Sequence, residues 1–502
     1  MFFCLLTWLS ACQSNDENET LKRGEILAKM KCSGCHLLPA PELLDKKTWR
    51  EGVLPAMAAQ FGIEVLQGNF YLNTPNSTLS NKDWLKIVSY YETLAPDSLQ
   101  KQPVKRPVAN DWFIFKLKKP VQNPSQIANT LMTVINSDEK AIYTSNLTNP
   151  GLYKWDQNLK PRMLTTLTSS PVDIIFNKPS DSIKSVVTCM GGMQALDVTK
   201  GDVISLTKNE KGDYSKDVIG ADFIRPIQSR PADFNKDGLT DYVICSFGHH
   251  KGGLFLLRQR PDKTFDRSPI REIPGATQAV INDFNHDGWL DIMALFAHGD
   301  EGIWLFTNDK KGGFETKNIL RFPPVYGSGS FQIADMNQDG KPDIVYTAGD
   351  NSDYSRILKP YHGLYIFLNR GDFDSMDLQF EQSYFYPLYG CTKAIAADMD
   401  QDGDMDIAAI AFFADFKNNQ SDTFMFFENN TERSKKTLYF KPHNLPVSKN
   451  GRWICMDVND YDGDGDKDII LGNYSKGFMN QENIKPDWDI HTPFVVLENI
   501  VK

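Results

Sequence analysis

From residue 111 onward the hydrophobic positions fall into short runs that stop abruptly at polar, glycine-bearing stretches. DYVICSF from Asp241, DIMALF from Asp291, DIVYT from Asp343, DIAAIAF from Asp406 and DIILGN from Asp468 are too short for helices and favour β-branched and aromatic residues, so they predict strands. A further run such as GIWLF from Gly302 follows each of them. Residues 20–97 have a different period. After Ser80-Asn81-Lys82-Asp83, which reads as a helix cap, Trp84, Ile87, Val88, Tyr91 and Leu94 fall on one helical face. Helices are also predicted from Thr20 to Met30 and from Pro41 to Gly52, the latter with proline at its start. Residues 98–110, SLQKQPVKRPVAN, have no apolar period and read as a linker.

One loop recurs between the apolar runs: DFNKDGLTD from Asp233, DFNHDGWLD from Asp283, DMNQDGKPD from Asp335, DMDQDGDMD from Asp398 and DYDGDGDKD from Asp460. The spacings are 50, 52, 63 and 62 residues, a period that signals stacked supersecondary units. Oxygen-bearing side chains stand at positions 1, 3, 5 and 9, and glycine at position 6 permits a tight turn; a ring of hard oxygens suits Ca²⁺. The candidate metal positions are Asp233, Asn235, Asp237, Leu239 and Asp241; Asp283, Asn285, Asp287, Trp289 and Asp291; Asp335, Asn337, Asp339, Lys341 and Asp343; Asp398, Asp400, Asp402, Asp404 and Asp406; and Asp460, Asp462, Asp464, Asp466 and Asp468. An EF-hand is excluded, because position 12 is Ile244, Ala294, Tyr346, Ala409 or Leu471 where that loop needs glutamate. About five structural Ca²⁺ ions are expected, and they would offset the formal charge of −10 concentrated in these loops. A catalytic metal would need an open position and a nearby base, which the loops do not offer.

Strand, acidic loop, strand and a third strand resemble the FG-GAP or VCBS repeat of integrin α-type β-propellers. Two earlier units, TLMTVINSDEKAIYTSN from Thr130 and SSPVDIIFNKPSDSIKSVVTCMGG from Ser169, share the strand rhythm without the loop. The resemblance implies a mainly β fold, a seven-bladed propeller over residues 111–502. Its last blade would be completed by residues 111–117, which closes the ring and removes its edges.

Cys32-Ser33-Gly34-Cys35-His36 carries the candidate chemistry of the front segment. CxxCH is the attachment signal for c-type haem: two thiolates bind the vinyl groups and the adjacent imidazole becomes an axial ligand. A zinc site needs four ligands, yet no further Cys or His occurs between His36 and Cys189. A thioredoxin-like pair would want a βαβ context, which the helical surroundings do not supply. Helix, CxxCH, helix and aromatic terminal helix over residues 20–97 resemble a small all-α class I cytochrome c. The resemblance implies haem c on Cys32, Cys35 and His36, and a close crossing of the first and last helices at Gly24 against Tyr90 or Tyr91. Met57 is the only Met or His between His36 and residue 100, hence the candidate sixth ligand; otherwise it is simply core.

MFFCLLTWLSAC, followed at once by acidic residues 13–19, resembles a bacterial lipoprotein signal over residues 1–12, with Leu9-Ser10-Ala11-Cys12 as lipobox, although no basic residue precedes Cys12. This implies lipidation of Cys12, an acidic tether over 13–19, and export with anchoring in the outer membrane, on its periplasmic side or at the cell surface. Cys189, Cys245, Cys391 and Cys455 stand singly in apolar runs and read as buried strand thiols. No run of 18 apolar residues occurs, and the net negative charge argues against nucleic acid.

His249, His250, His298, His362, His443 and His491 map to loops opposite the acidic ones, together with Tyr354, Arg356, Lys359, Tyr361, Asp415, Lys417, Trp453 and Trp488. That surface is the candidate ligand face, or else merely a set of solvated loops. The functional expectation is a membrane-anchored electron-transfer cytochrome whose propeller docks a redox partner or a polymeric or carbohydrate ligand. The alternatives are a haem-coupled dehydrogenase acting on a sugar or alcohol, and a glycan-binding or adhesion lipoprotein.

Overall fold

A computed structural model describes residues 5–67, 69–102, 108–177, 181, 183–194, 196–208, 214–352, 354–432, 437–479, 481 and 483–501. The side chains of residues 5–17, Cys12 among them, lie outside the described part, as do residues 1–4 of the expected signal and 103–107 of the expected linker. The chain forms two compact units. One comprises Met1–Pro103, Phe322–Tyr326 and Asn351–Tyr361; the other comprises Val104–Arg321, Gly327–Asp350 and His362–Lys502.

In the second unit, seven four-stranded antiparallel sheets form the blades of a β-propeller. Their innermost strands are Thr133–Asn136, Pro171–Phe176, Pro226–Ala232, Ala276–Asn282, Ser328–Ala334, Cys391–Ala397 and Trp453–Asn459, in blades one to seven. The two units without an acidic loop are blades one and two. Blade seven takes its outermost strand, Phe115–Lys118, from the other end of the chain, paired antiparallel with Phe494–Asn499. Second strands such as Asp343–Ala348 and Asp406–Ala411 are buried at every residue, which explains their unbroken apolar runs.

The blades are stitched to one another by side chains. Asp173, Gln228, Gln278 and Ser330 accept hydrogen bonds from the main-chain nitrogens of Ser229, Ala279, Phe331 and Ala394 in the next blade, at 3.0, 2.7, 3.2 and 3.1 Å. Lys393 Nζ donates to the Met456 carbonyl at 2.8 Å, and Asp457 accepts from Ile135 N at 2.7 Å, joining blade seven to blade one. The first five of these residues each follow a one-residue register shift in their strand, a bulge that turns the side chain toward its neighbour. Inner-strand groups that would otherwise be bare edges are thereby satisfied.

The first unit is built on a helix, Leu5–Cys32, against another, Asn81–Leu94, whose Ser80 cap accepts from Asp83 N. No glycine or proline interrupts residues 5–23, so the acidic stretch 13–19, expected as a flexible tether, continues the first helix. Among the described residues no helix is long and apolar enough to cross a membrane. The buried stripe of the second helix is Trp84, Ile87, Tyr90 and Tyr91, while Leu94, expected on that face, is 51% exposed in the last turn. Gly24 lies at the crossing: a Cβ there would come within 2.8 Å of Tyr90 Cβ and closer still to the Lys86 carbonyl oxygen. Gly24→Val should therefore destabilise this unit by about 3 kcal/mol, read as a loss of urea resistance in the fluorescence of Trp49 and Trp84; a change below about 0.5 kcal/mol would show that the crossing tolerates a side chain.

Two expectations for this unit are corrected. It is not all-α: Ile63–Leu66 and Phe70–Asn73 form a hairpin that turns Ile63, Val65 and Tyr71 inward. The helix expected from Pro41 instead begins after a 3₁₀ turn, Pro41–Leu43, with Asp45 capping at Thr48 N, and it runs on through Pro55 to Gln60. Proline is accommodated because the preceding segment, Trp49–Val53, is a π-turn in which Leu54 N bonds to the Trp49 carbonyl, relaxing the ladder where Pro55 has no N–H to donate. Val325, Tyr326, Ile357 and Tyr361 pack on the same core, and Tyr361 donates its hydroxyl to Leu43 O at 2.9 Å, which is why two loop segments cluster with the helices.

Candidate functional site

Each acidic loop joins the first and second strands of blades three to seven and follows one plan. Position 2 is Phe234, Phe284, Met336, Met399 or Tyr461, buried in every case, and anchors the loop in the core. Position 1 accepts the position 6 glycine N–H: Asp233 from Gly238 at 2.9 Å, Asp283 from Gly288 and Asp335 from Gly340 at 2.8 Å, Asp398 from Gly403 at 3.2 Å, Asp460 from Gly465 at 3.1 Å. Position 5 accepts the position 7 N–H at 2.8 to 3.2 Å. Such bonds leave further carboxylate lone pairs for a cation. The glycines have φ between +82° and +101°, the left-handed region that favours this residue. Position 4 is left-handed too, in Lys236, His286, Gln338 and Gln401, with a second glycine, Gly463, in blade seven.

Position 9 does something the sequence pattern did not disclose. Asp241, Asp291, Asp343, Asp406 and Asp468 are completely buried. In each, one oxygen accepts the position 2 N–H and the other accepts the N–H at the end of the third strand, from Gln259, Asn308, Asn369, Asn429 or Asn499, at 2.8 or 2.9 Å. The aspartate is thus a staple between loop and sheet as well as a candidate ligand. Asn308 and Asn499 then donate to the position 2 carbonyls of the preceding blades, Phe234 O and Met399 O, at 2.9 and 2.6 Å. Recurrence of Asn or Gln at the end of each third strand was the available signal.

The loops of blades three to five differ from those of six and seven at position 3. Asn235, Asn285 and Asn337 donate their amides to the position 5 carboxylate at 2.8, 3.1 and 3.0 Å. Aspartate cannot do so, and the ligand atoms of Asp398, Asp400 and Asp402, and of Asp460, Asp462 and Asp464, lie within 4.8 Å of one another. Burial first and then neighbouring carboxylates push Asp404 up to about 7, Asp406 to about 8, and Asp466 and Asp468 to about 7. In blades three and five burial, with a smaller push from neighbouring carboxylates, raises Asp241 and Asp343 to about 6 against their backbone donors. Carboxylates crowded in this way fit a hard divalent cation.

Cys32, Cys35 and His36 come together in one turn that ends the first helix, with Cys35 N and His36 N both donating to Cys32 O. Both thiols are free, Cys35 exposed, and burial raises Cys32 to about 11. His36 Nδ1 lies 2.9 Å from the Leu37 carbonyl, which can only accept, so Nδ1 is the donor in this bond and Nε2 takes no part in it. The following segment is fixed by Tyr91 Oη to Pro39 O at 3.0 Å and Trp49 Nε1 to Pro41 O at 2.8 Å. Leu37 and Met30, beside the motif in sequence, remain 38% and 67% exposed. These residues fit a covalent haem. Met57 comes from a separate helix, Leu54–Gln60, and is half-buried against the unit's core.

The expected histidine face does not form as one surface. His249, His250 and His298 do gather, with ring centroids 4.2 Å (His249 to His250) and 5.5 Å (His249 to His298) apart. Asp197 beside them accepts the main-chain N–H groups of His249, His250 and Lys251. His362 is completely buried, and Lys359 and Trp453 are withdrawn from solvent as well. His443 lies in a strand, Phe440–His443, rather than a loop. Its side chain is 1% exposed, and its two ring nitrogens face Asp111 at 3.0 Å and Glu428 at 2.9 Å. His491 is tied to Gln126 O at 2.8 Å. Cys189, Cys245 and Cys391 are buried, Cys455 partly so, and among the described residues none of the four is in a disulfide.

A family model described as an FG-GAP-like repeat matches residues 233–294 and 283–346, each match running from one acidic loop to the strand after the next. No curated protein matched the chain. The chain carries FG-GAP-like repeats within a seven-bladed β-propeller, an arrangement that fits the binding of a ligand or partner.

Proposed function

We propose that the protein is an exported, lipid-anchored c-type cytochrome, tethered at the outer membrane through Cys12, whose calcium-held propeller docks a redox partner or a polymeric ligand. The observation that carries this reading is the CxxCH turn, with its two free thiols and an imidazole whose Nδ1 is already committed to Leu37 O. Bound haem supplies one-electron transfer. Cys32 and Cys35 would hold it covalently, and His36 Nε2 and the Met57 thioether would be its iron ligands.

Purified exported protein should show a c-type haem spectrum and the mass of one covalent haem, both lost in Cys35→Ala while the Ca²⁺-bound propeller stays folded. Unmodified sulfurs at Cys32 and Cys35 would sink the cytochrome reading and leave a binding module. A second reading, a haem-coupled dehydrogenase, draws on the gathered rings of His249, His250 and His298 beside Asp197. It requires substrate-dependent haem reduction across a sugar and alcohol panel that disappears in His298→Ala.

A further inference from the structure

The acidic loop of blade seven is singled out by its surroundings. The Tyr461 hydroxyl, at its second position, accepts from Lys118 Nζ at 2.9 Å, and Lys118 also pairs with Glu498. Those two residues belong to the strands that meet at the closure of the ring, Phe115–Lys118 and Phe494–Asn499. Asp462 O accepts from Gln157 of blade one at 2.6 Å, and Asp468 accepts from Asn499 N at 2.9 Å. One loop therefore touches the first blade and both closing strands.

Its interior differs as well. Asp466 is 2% exposed, and neither of its carboxylate oxygens has a hydrogen-bond partner. A buried carboxylate without a donor is strongly unfavourable unless a cation meets it. Its charged neighbours are Asp464, Asp462 and Asp460, whose ligand atoms already converge within 4.8 Å. The counterpart in blade six, Asp404, is only half-buried, with one carboxylate oxygen rather than both buried without a partner, and blades three to five have Leu239, Trp289 and Lys341 at this position. Carboxylate count and site rigidity set affinity in such oxygen-ligand sites.

We propose that the blade-seven loop is the tightest divalent-cation site of this protein, with Asp466 as its added carboxylate, and that the cation held there pins the closing strand Phe115–Lys118 to the ring. This rests on the reading of the acidic loops as Ca²⁺ sites and goes beyond it by making one loop a closure device. The full chain, stripped with EDTA, is titrated with CaCl₂ by calorimetry. Amide exchange is followed in peptides containing 115–118, 494–499 and, as a control, 291–296.

The first equivalent of Ca²⁺ should slow exchange of both closing strands at least tenfold. Asp466→Asn should weaken the tightest site at least tenfold and defer that protection to later equivalents, whereas Asp237→Asn in blade three should leave the closing strands as in the parent. Lys118→Met keeps every carboxylate, so it should keep the tight site but lose the protection. An unchanged tightest site in Asp466→Asn, closing-strand loss in Asp237→Asn equal to that in Asp466→Asn, or full protection in Lys118→Met would overturn the proposal. No Ca²⁺ binding by the parent would instead overturn the calcium reading beneath it.

Discussion

Removal of calcium with EDTA lowers the melting temperature of the propeller by about 15 °C or more, and about 1 mM Ca²⁺ restores it, as read by calorimetry. A site that binds only the folded state contributes about 2.7 kcal/mol at a hundred times its dissociation constant, so several such sites supply on the order of 10 kcal/mol. The pH dependence should change sign with the metal. In metal-free protein the folded carboxyls of Asp404, Asp406, Asp466 and Asp468 are raised to about 7 or 8. Unfolded aspartate titrates near 4, so unfolding between these limits releases protons. Stability of the stripped protein is therefore highest at low pH in this window and falls from about pH 4 through 8. Calcium requires the deprotonated ligands, so its presence makes stability rise over the same range. Melting temperatures that fall with pH equally in EDTA and in Ca²⁺ would show that the loops hold no cation.

Replacing Asp343 by Ala should cost about 4 kcal/mol, because two buried backbone N–H groups then lose their acceptor together. Met336 N and Asn369 N donate to it at 2.9 and 2.8 Å, and the carboxylate has no exposure to water that could take its place. Asp343→Asn retains one acceptor but turns an amide N–H toward the other donor, so it should cost about half as much. Denaturant unfolding at saturating Ca²⁺ and again in EDTA separates the two roles of this residue. A loss seen only with Ca²⁺ would mean that Asp343 acts as a ligand alone and that the staple counts for nothing.

Much of the propeller is legible along the chain because its signals are local. The glycine at position 6 and the oxygens at 1, 3, 5 and 9 sit within nine residues, and the fully buried second strands announce themselves as apolar runs. The contribution of residues near 115 to the last blade follows from blade seven lacking a fourth strand. What stayed hidden depends on residues far apart. Asp343 meets Asn369 N, and Gln278 meets Phe331 N in the next blade, only once the blades are assembled. His443 reads as a loop histidine until Asp111, 332 residues earlier, is brought against it. The hairpin Ile63–Leu66 and Phe70–Asn73 has only four residues a strand, and Phe70-Tyr71-Leu72 is an unbroken apolar run with no alternation to announce it. The CxxCH turn was plain from its residue types, whereas the His36 tautomer depends on the direction of the Leu37 carbonyl.

The pairing of Phe115–Lys118 with Phe494–Asn499 also sets a timetable for assembly. Lys118 and Glu498 are 380 residues apart, so at ~5–20 residues per second the ribosome needs roughly 20 to 80 s between making one partner and the other. Throughout that interval the nascent propeller is an open arc with an unpaired edge, and a chain truncated before residue 494 stays one. Escorting factors that shield sheet edges would matter most to this chain in the time before its final residues are made.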